Sequence, residues 1–306
     1  YIEDFEKRVE LKARNPVGTG WVPIDNLTRG GLGTGELGVC IAPTGAGKSM
    51  ALVHLGAEAL RQGRTVIHYT LELGDKIVAT RYDSCLTGIN LQDVFTNKEY
   101  IFDKIQDVDG KLIVKEYPTK SASTSTLKTH LDKLTRLGED IGMVIVDYGD
   151  LLRPVSSQRE KRNELESIYE ELRGIAQTFD CPVWTASQTN RSGLNAEVIT
   201  MESISEAFNK CFVADFIFSL SRTVEDKNND TGRIFIAKNR NGADGLVYPI
   251  FMSTKNVRIR VANSQMGQTI SQSSSDIVKK QKESLSEKYK KHRSKIINKS
   301  TKENEE

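Results

Sequence analysis

Leu37-Gly-Val-Cys-Ile-Ala-Pro-Thr-Gly-Ala-Gly-Lys-Ser49 decides the fold of this chain. Its first half, Leu37–Ile41, is an apolar run of strand character. Its second half, Ala42, Pro43, Thr44, Gly45, Ala46, Gly47, Lys48 and Ser49, has the composition of a phosphate-cradling loop. Glycines let backbone N–H groups turn inward around phosphate oxygens, a lysine reaches the β- and γ-phosphates, and a hydroxyl holds Mg²⁺. Lys48 and Ser49 stand at the lysine and hydroxyl positions. The next stretch, Met50–Leu60, has the period of a helix, whose N-terminal dipole would face the anion. Ala42 replaces the glycine usual at the head of such a loop, and alanine is small enough to stand there. An ordinary glycine-rich turn would not need the lysine–hydroxyl ending in this strand–loop–helix setting.

The 306 residues suit one large α/β domain with appendages, or two small domains. Lys and Arg total 43 against 41 Asp and Glu, a net charge of +2, so any grip on nucleic acid must come from a local patch. Cys40, Cys85, Cys181 and Cys211 are scattered, with no CxxC pair, and read as reduced thiols packed like small apolar groups. There is no signal peptide and no apolar run of bilayer length, so the expectation is a soluble, cytoplasmic protein without a membrane segment.

Outward from the loop, three regions differ. Residues 1–17 begin with Tyr1–Arg14, where Ile2, Phe5 and Val9 recur at helical spacing among charges. A helix this short needs a surface to dock on, either its own domain or a neighbouring subunit. Residues 18–261 form the body. Strand-like runs recur at Leu37–Ile41, Thr65–Leu71, Lys111–Glu116, Met143–Asp147, Pro182–Ala186, Phe216–Leu220, Arg233–Ala237 and Val247–Met252. Helical patterns at Ser125–Leu137 and Asn163–Phe179 separate the earlier ones. The alternation predicts an α/β fold with a mostly parallel central sheet flanked by helices. Turn signals at Asn228–Gly232 and Asn239–Gly245 predict antiparallel hairpins at one end. Residues 262–306 are rich in Ser, Gln, Lys, Glu and Asn, a composition that predicts a solvated tail. Val278, Leu285, Tyr289 and Ile296 share one helical face there, so part of the tail could fold on a partner.

A phosphate loop needs companions. Asp147 ends an apolar strand and, beside the loop strand, would orient Mg²⁺ through its water shell. Glu72 follows the strand Thr65–Leu71, where a carboxylate serves either as general base or as an acidic residue near the next helix start. Gln188 follows Pro182–Ala186, and an amide at a strand tip can feel a γ-phosphate or simply make a turn. Lys238 and Arg240 sit two apart at the end of Arg233–Ala237, a basic hairpin tip that is either solvated or reaches a neighbour's phosphates.

Taken together, these motifs resemble the RecA-type domain of DnaB-like replicative helicases. The likeness runs from about Tyr1 to Val261. It rests on Thr19–Asp25, Gly30–Leu37, the phosphate loop, Thr70-Leu-Glu-Leu73, Val144-Ile-Val-Asp-Tyr148, Ala186–Arg191, Ala214-Asp215 and Lys238-Asn-Arg-Asn-Gly-Ala-Asp-Gly245, in that order. The resemblance implies a RecA-like P-loop NTPase. Glu72 would be the catalytic base, Gln188 the γ-phosphate sensor, and Lys238 with Arg240 the sensor and finger acting in trans. Tyr1–Arg14 matches the linker helix that clasps the adjacent subunit. Two positions depart from the family pattern: Gly149-Asp150 follows Asp-Tyr where Leu-Gln is common, and Ala243 replaces a proline. No counterpart of the family's N-terminal collar lies among these residues, so a primase contact is not implied as strongly as the motor. The serine-rich tail and compact form suggest a phage-like version.

The resemblance therefore implies a homo-oligomeric ring of six, hydrolysing ATP with Mg²⁺ and translocating 5′ to 3′ on single-stranded DNA, with a primase or helicase loader as a further partner. Candidate DNA loops are Ser156–Asn163, carrying Arg159, Lys161 and Arg162, and Asn190–Ser203, carrying Arg191. Two rivals stay open: a RecA/RadA-type recombination ATPase or mediator, and a non-motor switch that uses ATP to assemble.

Overall fold

Strand β1 (Leu37–Ala42) is buried at every position, and its alternate side chains feed two separate apolar layers. Cys40 and Ala42 enter one layer; Leu37, Val39 and Ile41 enter the other. A strand walled on both faces has no polar side, which is why its sequence is a continuous apolar run. The computed structural model describes residues 14–156, 160–189, 208 and 210–262. Of the expected linker 1–17, residues 1–13 lie outside them, as does the expected tail 262–306 apart from Ala262.

Eight further strands join β1 in one sheet: β2 (Val66–Thr70), β3 (Leu112–Glu116), β4 (Met143–Asp147), β5 (Val183–Gln188), β6 (Phe216–Ser221), β7 (Thr231–Asn239), β8 (Val247–Ser253) and β9 (Arg258–Val261). Their order is β3-β2-β4-β5-β1-β6-β7-β8-β9. Pairing is parallel from β3 through β6 and antiparallel from β6 through β9. This is the expected α/β architecture, with hairpins at one end.

Helices cover both faces. On one, α2 (Lys48–Arg61) and α3 (Asp75–Thr87) pack Leu52, Leu55, Val78 and Tyr82 with Trp184 and Phe218. On the other, α5 (Thr124–Arg136) and α6 (Lys161–Phe179) pack Leu127, Leu131, Ile168 and Leu172. Two shorter helices are α1 (Val22–Leu27) and α4 (Lys98–Gln106). Trp21 stacks on His54 at 5.1 Å, and its indole N–H donates to the Ile259 carbonyl at 3.1 Å. That contact fastens the chain before α1 to the far edge of the sheet. Val17 bridges to Leu32, and Arg14 forms an ion pair with Glu36 at 2.8 Å, so residues 14–17 are built into the body. All four cysteines are free and buried, and burial pushes the Cys40 thiol up to about 12.

The structure adds elements that the sequence patterns did not predict. The β6–β7 connection, read as a turn at Asn228–Gly232, contains the helix α7 (Val224–Asn228). Thr223 and Asp226 cap it reciprocally, and this pair of hydrogen bonds is what starts a helix there. Helix α3 buries Val78, Tyr82 and Cys85 at helical spacing, but Thr, Val and interleaved charges weaken its pattern. Strand β9 is four residues long and half charged.

Candidate nucleotide-binding site

Parallel register brings the chemistry to one edge. Ala42 at the end of β1 lies beside Gln188 at the end of β5. Asp147 at the end of β4 lies beside Thr70 at the end of β2, and the Leu71 N–H donates to the Asp147 carbonyl at 2.9 Å. The phosphate loop, Asp147, Gln188 and Glu72 therefore all leave the C-terminal ends of parallel strands, where open α/β sheets bind ligands.

Gly45 (φ 73°) and Gly47 (φ 110°) take left-handed backbone angles. At Gly47 a Cβ would also lie 2.1 Å from Met252 Cε, so glycine alone fits. Gly47 caps α2, and Lys48 and Ser49 form its first turn. The Lys48 ammonium is buried, donates to the Ala42 and Pro43 carbonyls at 3.2 and 3.3 Å, and lies 5.6 Å from the Tyr148 ring centroid. Burial lowers its pKa, while Cys40, Glu72, Asp147 and Asp150 oppose that shift.

Asp147 is 1% exposed, and neither carboxylate oxygen has a hydrogen-bond partner of full geometry among the described residues. Burial raises its pKa to about 6; the Ser49 hydroxyl, Arg81 and Lys48 pull it down, and Glu72 pushes it up. A buried, unsatisfied carboxylate beside a hydroxyl has the hard oxygen chemistry that suits Mg²⁺. Ser49 and Asp147 thus fit the ion the sequence implies.

Thr44, Lys48, Ser49, Glu72, Tyr148 and Gln188 line one cleft of about 250 Å³. Glu72 is exposed at its mouth. Gln188 Nε2 donates to the Thr44 hydroxyl at 2.5 Å, and the Tyr148 hydroxyl donates to Gln188 Oε1 at 3.2 Å. Three cleft residues escaped the sequence analysis: Arg81, Arg222 and Thr254. Arg81 lies on α3, where burial lowers its pKa and Asp147 and Glu72 hold it up. Arg222 is buried just past β6 and donates to the Thr231 carbonyl at 2.8 Å. None of the three stands in a motif or at a spacing that would have flagged it, since α3, β6 and β8 bring them to the cleft.

Lys238 and Arg240 are elsewhere. Lys238 pairs with Ile217 near the start of β6, and β6 runs parallel to β1 with Phe216 beside Gly38. The two cations therefore sit toward the opposite end of the sheet from the loop, displaced by about 13 Å along the strand direction at a strand's usual rise. Arg240 is 43% exposed and donates to Asp215 Oδ1 at 2.7 Å. Asp215 also accepts from Arg173 Nε at 3.0 Å and from the Leu37 N–H at 3.0 Å. Lys238 donates to the Phe212 carbonyl and lies 4.2 Å from that ring's centroid. Its pKa is lowered by burial, then by Arg240 and Arg173, against Asp215.

Of the residues nominated for DNA, Arg159 and Arg191 lie outside the described residues. Lys161 and Arg162 are not in a loop: α6 begins at Lys161, and Arg162 is exposed on its first turn. The correction has a simple cause, since helical periodicity is hardest to see in a polar first turn. The strands that precede the two nominated segments, β4 and β5, both end at the sheet edge that carries the cleft. Among the described residues no helix is long and apolar enough to cross a membrane.

A DnaB-like replicative helicase of Enterobacteria phage T4 is 28% identical to this chain over 214 residues, covering 66% of this chain and 45% of that protein. The replicative DNA helicase DnaB of Helicobacter pylori strain J99 is 26% identical over 200 residues, covering 62% and 40%. The chain thus spans less than half the length of these curated relatives. Among solved structures, a DnaB-like replicative helicase superposes with a TM-score of 0.70 at 18% identity, covering 86% of this chain and 67% of that one. The RadB recombinase superposes with a TM-score of 0.53 at 15% identity, covering 81% and 100%. These likenesses show the RecA-like fold. The model of the DnaB-like helicase C-terminal domain matches residues 16–259, and the chain belongs to that family.

Proposed function

We propose that this chain is the motor of a ring-shaped, ATP-dependent DNA helicase whose sites are each built by two copies. One observation carries the proposal. The cleft residues lie at one edge of the sheet, and Lys238 with Arg240 lie at the other, so no single copy brings them together.

Within one copy, the loop N–H groups and Lys48 would bind the triphosphate of ATP, and Ser49 and Asp147 would hold Mg²⁺. The ion would neutralise charge on the β- and γ-phosphate oxygens. Glu72 at the cleft mouth orients the attacking water and takes its proton. Gln188, already bonded to Thr44, senses the γ-phosphate. Arg240 of the next copy, presented by Asp215, stabilises charge in the transition state. Loss of the γ-phosphate changes the contacts across the seam and shifts its preferred geometry. Positive residues after β4 and β5, Arg159, Lys161, Arg162 and Arg191 among them, would grip single-stranded DNA by its phosphates. Hexameric assembly, 5′ to 3′ movement, a primase or loader partner, and a cytoplasmic, phage-like setting are part of this proposal and are supported by the family likeness alone.

The test is complementation between subunits. Lys48→Ala and Arg240→Ala should each lower turnover by about three orders of magnitude or more. Mixed in equal amounts, they should regain a measurable fraction, because some seams pair an intact loop with an intact arginine. Full turnover by Arg240→Ala, or no recovery in mixtures whose co-assembly native mass spectrometry demonstrates, would remove the two-copy site.

A further inference from the structure

The residue after the Asp147-Tyr148-Gly149 turn has chemistry that the cleft does not use. Asp150 lies in the short turn Gly149–Leu151, at one of the two positions where this chain departs from the family's usual Leu-Gln. Its carboxylate is 15% exposed and makes contacts to three different parts of the chain. Oδ2 accepts from the Lys210 ammonium at 2.7 Å and from the Gln188 backbone N–H at 3.3 Å. Oδ1 accepts from the Tyr169 hydroxyl of α6 at 2.8 Å. Lys120 braces the turn from outside, donating to the Asp150 and Leu152 carbonyls at 2.8 and 2.7 Å.

These bonds place one carboxylate directly behind Gln188, whose side chain faces Thr44 and Tyr148 in front. They also tie Gln188, which closes β5, to Lys210, which lies ahead of β6. The Lys210 side chain is 11% exposed, so its charge is poorly hydrated and depends on Asp150. Charge-assisted bonds of this length are the stronger kind, and a bond to a main-chain N–H moves the strand tip itself.

We propose that Asp150 is a positioning residue: by fastening the Gln188 main chain to Lys210 and to Tyr169 of α6, it fixes where the tip of β5 stands. This rests on Gln188 facing the γ-phosphate, as proposed above. Asp150 never touches nucleotide; it sets where Gln188 stands.

The experiment uses the whole chain and compares Asp150→Asn, Lys210→Met and the double variant. Steady-state ATP turnover is measured with and without oligothymidylate, and amide exchange is followed at residues 186–189. Asp150→Asn should keep the KM for ATP within about twofold, lower kcat by about fivefold or more, and speed exchange at the Gln188 amide. Lys210→Met should do the same in smaller measure, and the double variant should be no worse than Asp150→Asn, because the two groups act through one bond. Wild-type kcat and exchange in Asp150→Asn would overturn the proposal, as would effects that multiply in the double variant. If Asp150→Asn fails to fold, Lys210→Met alone decides by the same two readouts. A wild-type chain that ignores the oligonucleotide would count against the helicase reading, while kcat and exchange would still judge Asp150.

Discussion

Asp147 and Asp215 sit at opposite edges of the same sheet, and their surroundings could hardly differ more. Both are buried, at 1% and 4% exposure. Asp147 has no full-geometry partner among the described residues and a pKa raised to about 6. Asp215 is saturated by Arg173, Arg240 and the Leu37 N–H. An unsatisfied buried carboxylate raises the energy of the free protein and is relieved by a cation. A saturated one is a fixture, and here the fixture holds an arginine half in solvent. One edge is arranged to receive a ligand, the other to present a charge.

The largest effect that tests this contrast is on turnover. Glu72→Gln should lower kcat by about 10²–10⁴ while leaving nucleotide affinity within about twofold, read by single-turnover hydrolysis and by binding of a fluorescent nucleotide. Retained turnover would move the base away from the receiving edge.

Next is stability at the presenting edge. Asp215→Ala should destabilise the chain by about 2–4 kcal/mol, because Arg173 and the Leu37 N–H lose their acceptor. Arg173 and Arg240 are partly exposed, which keeps the loss below that of a wholly buried pair. Urea unfolding measures it.

The smallest effect has the opposite sign. The folded pKa of Asp147 is raised above its ordinary 3.8. Its protonation therefore favours the folded state fully below about pH 4, and that contribution is gone once pH has risen through about 6. At pH 7.5 the ionised group is a net burden, so Asp147→Asn should stabilise the metal-free chain by up to about 3 kcal/mol and by almost nothing at pH 4. The same substitution should abolish the Mg²⁺ dependence of nucleotide binding. In the wild type that dependence should fade as pH drops through 6. Thermal melts at the two pH values and a magnesium titration check the pair of claims. Equal melting shifts at both pH values would contradict the burial argument.

Much of this was open to reading before any fold was known. The apolar strand, the two left-handed glycines and the Lys48-Ser49 ending follow local rules, so the phosphate loop was legible residue by residue. Strand tips were legible too, which is how Glu72, Asp147, Gln188, Lys238 and Arg240 were singled out. What strand tips cannot reveal is which edge each one occupies; the parallel β1–β6 and antiparallel β6–β7 pairings separate Arg240 from the loop. Arg81, Arg222 and Thr254 stayed hidden because α3, β6 and β8 deliver them from places without a motif. Asp150 was visible as a departure from a pattern, but its partners come from β5, α6 and the approach to β6.

Sequence by itself determined the strand–loop–helix unit and the mostly parallel sheet, because hydrophobic period, glycine conformation and helix dipoles act over neighbouring residues. Tertiary structure alone decided that Asp147 has no full-geometry partner among the described residues, that Asp215 has several, and that the loop and Arg240 lie at opposite edges. Solvation and pairing depend on what distant segments bring, and no local pattern of side chains records it.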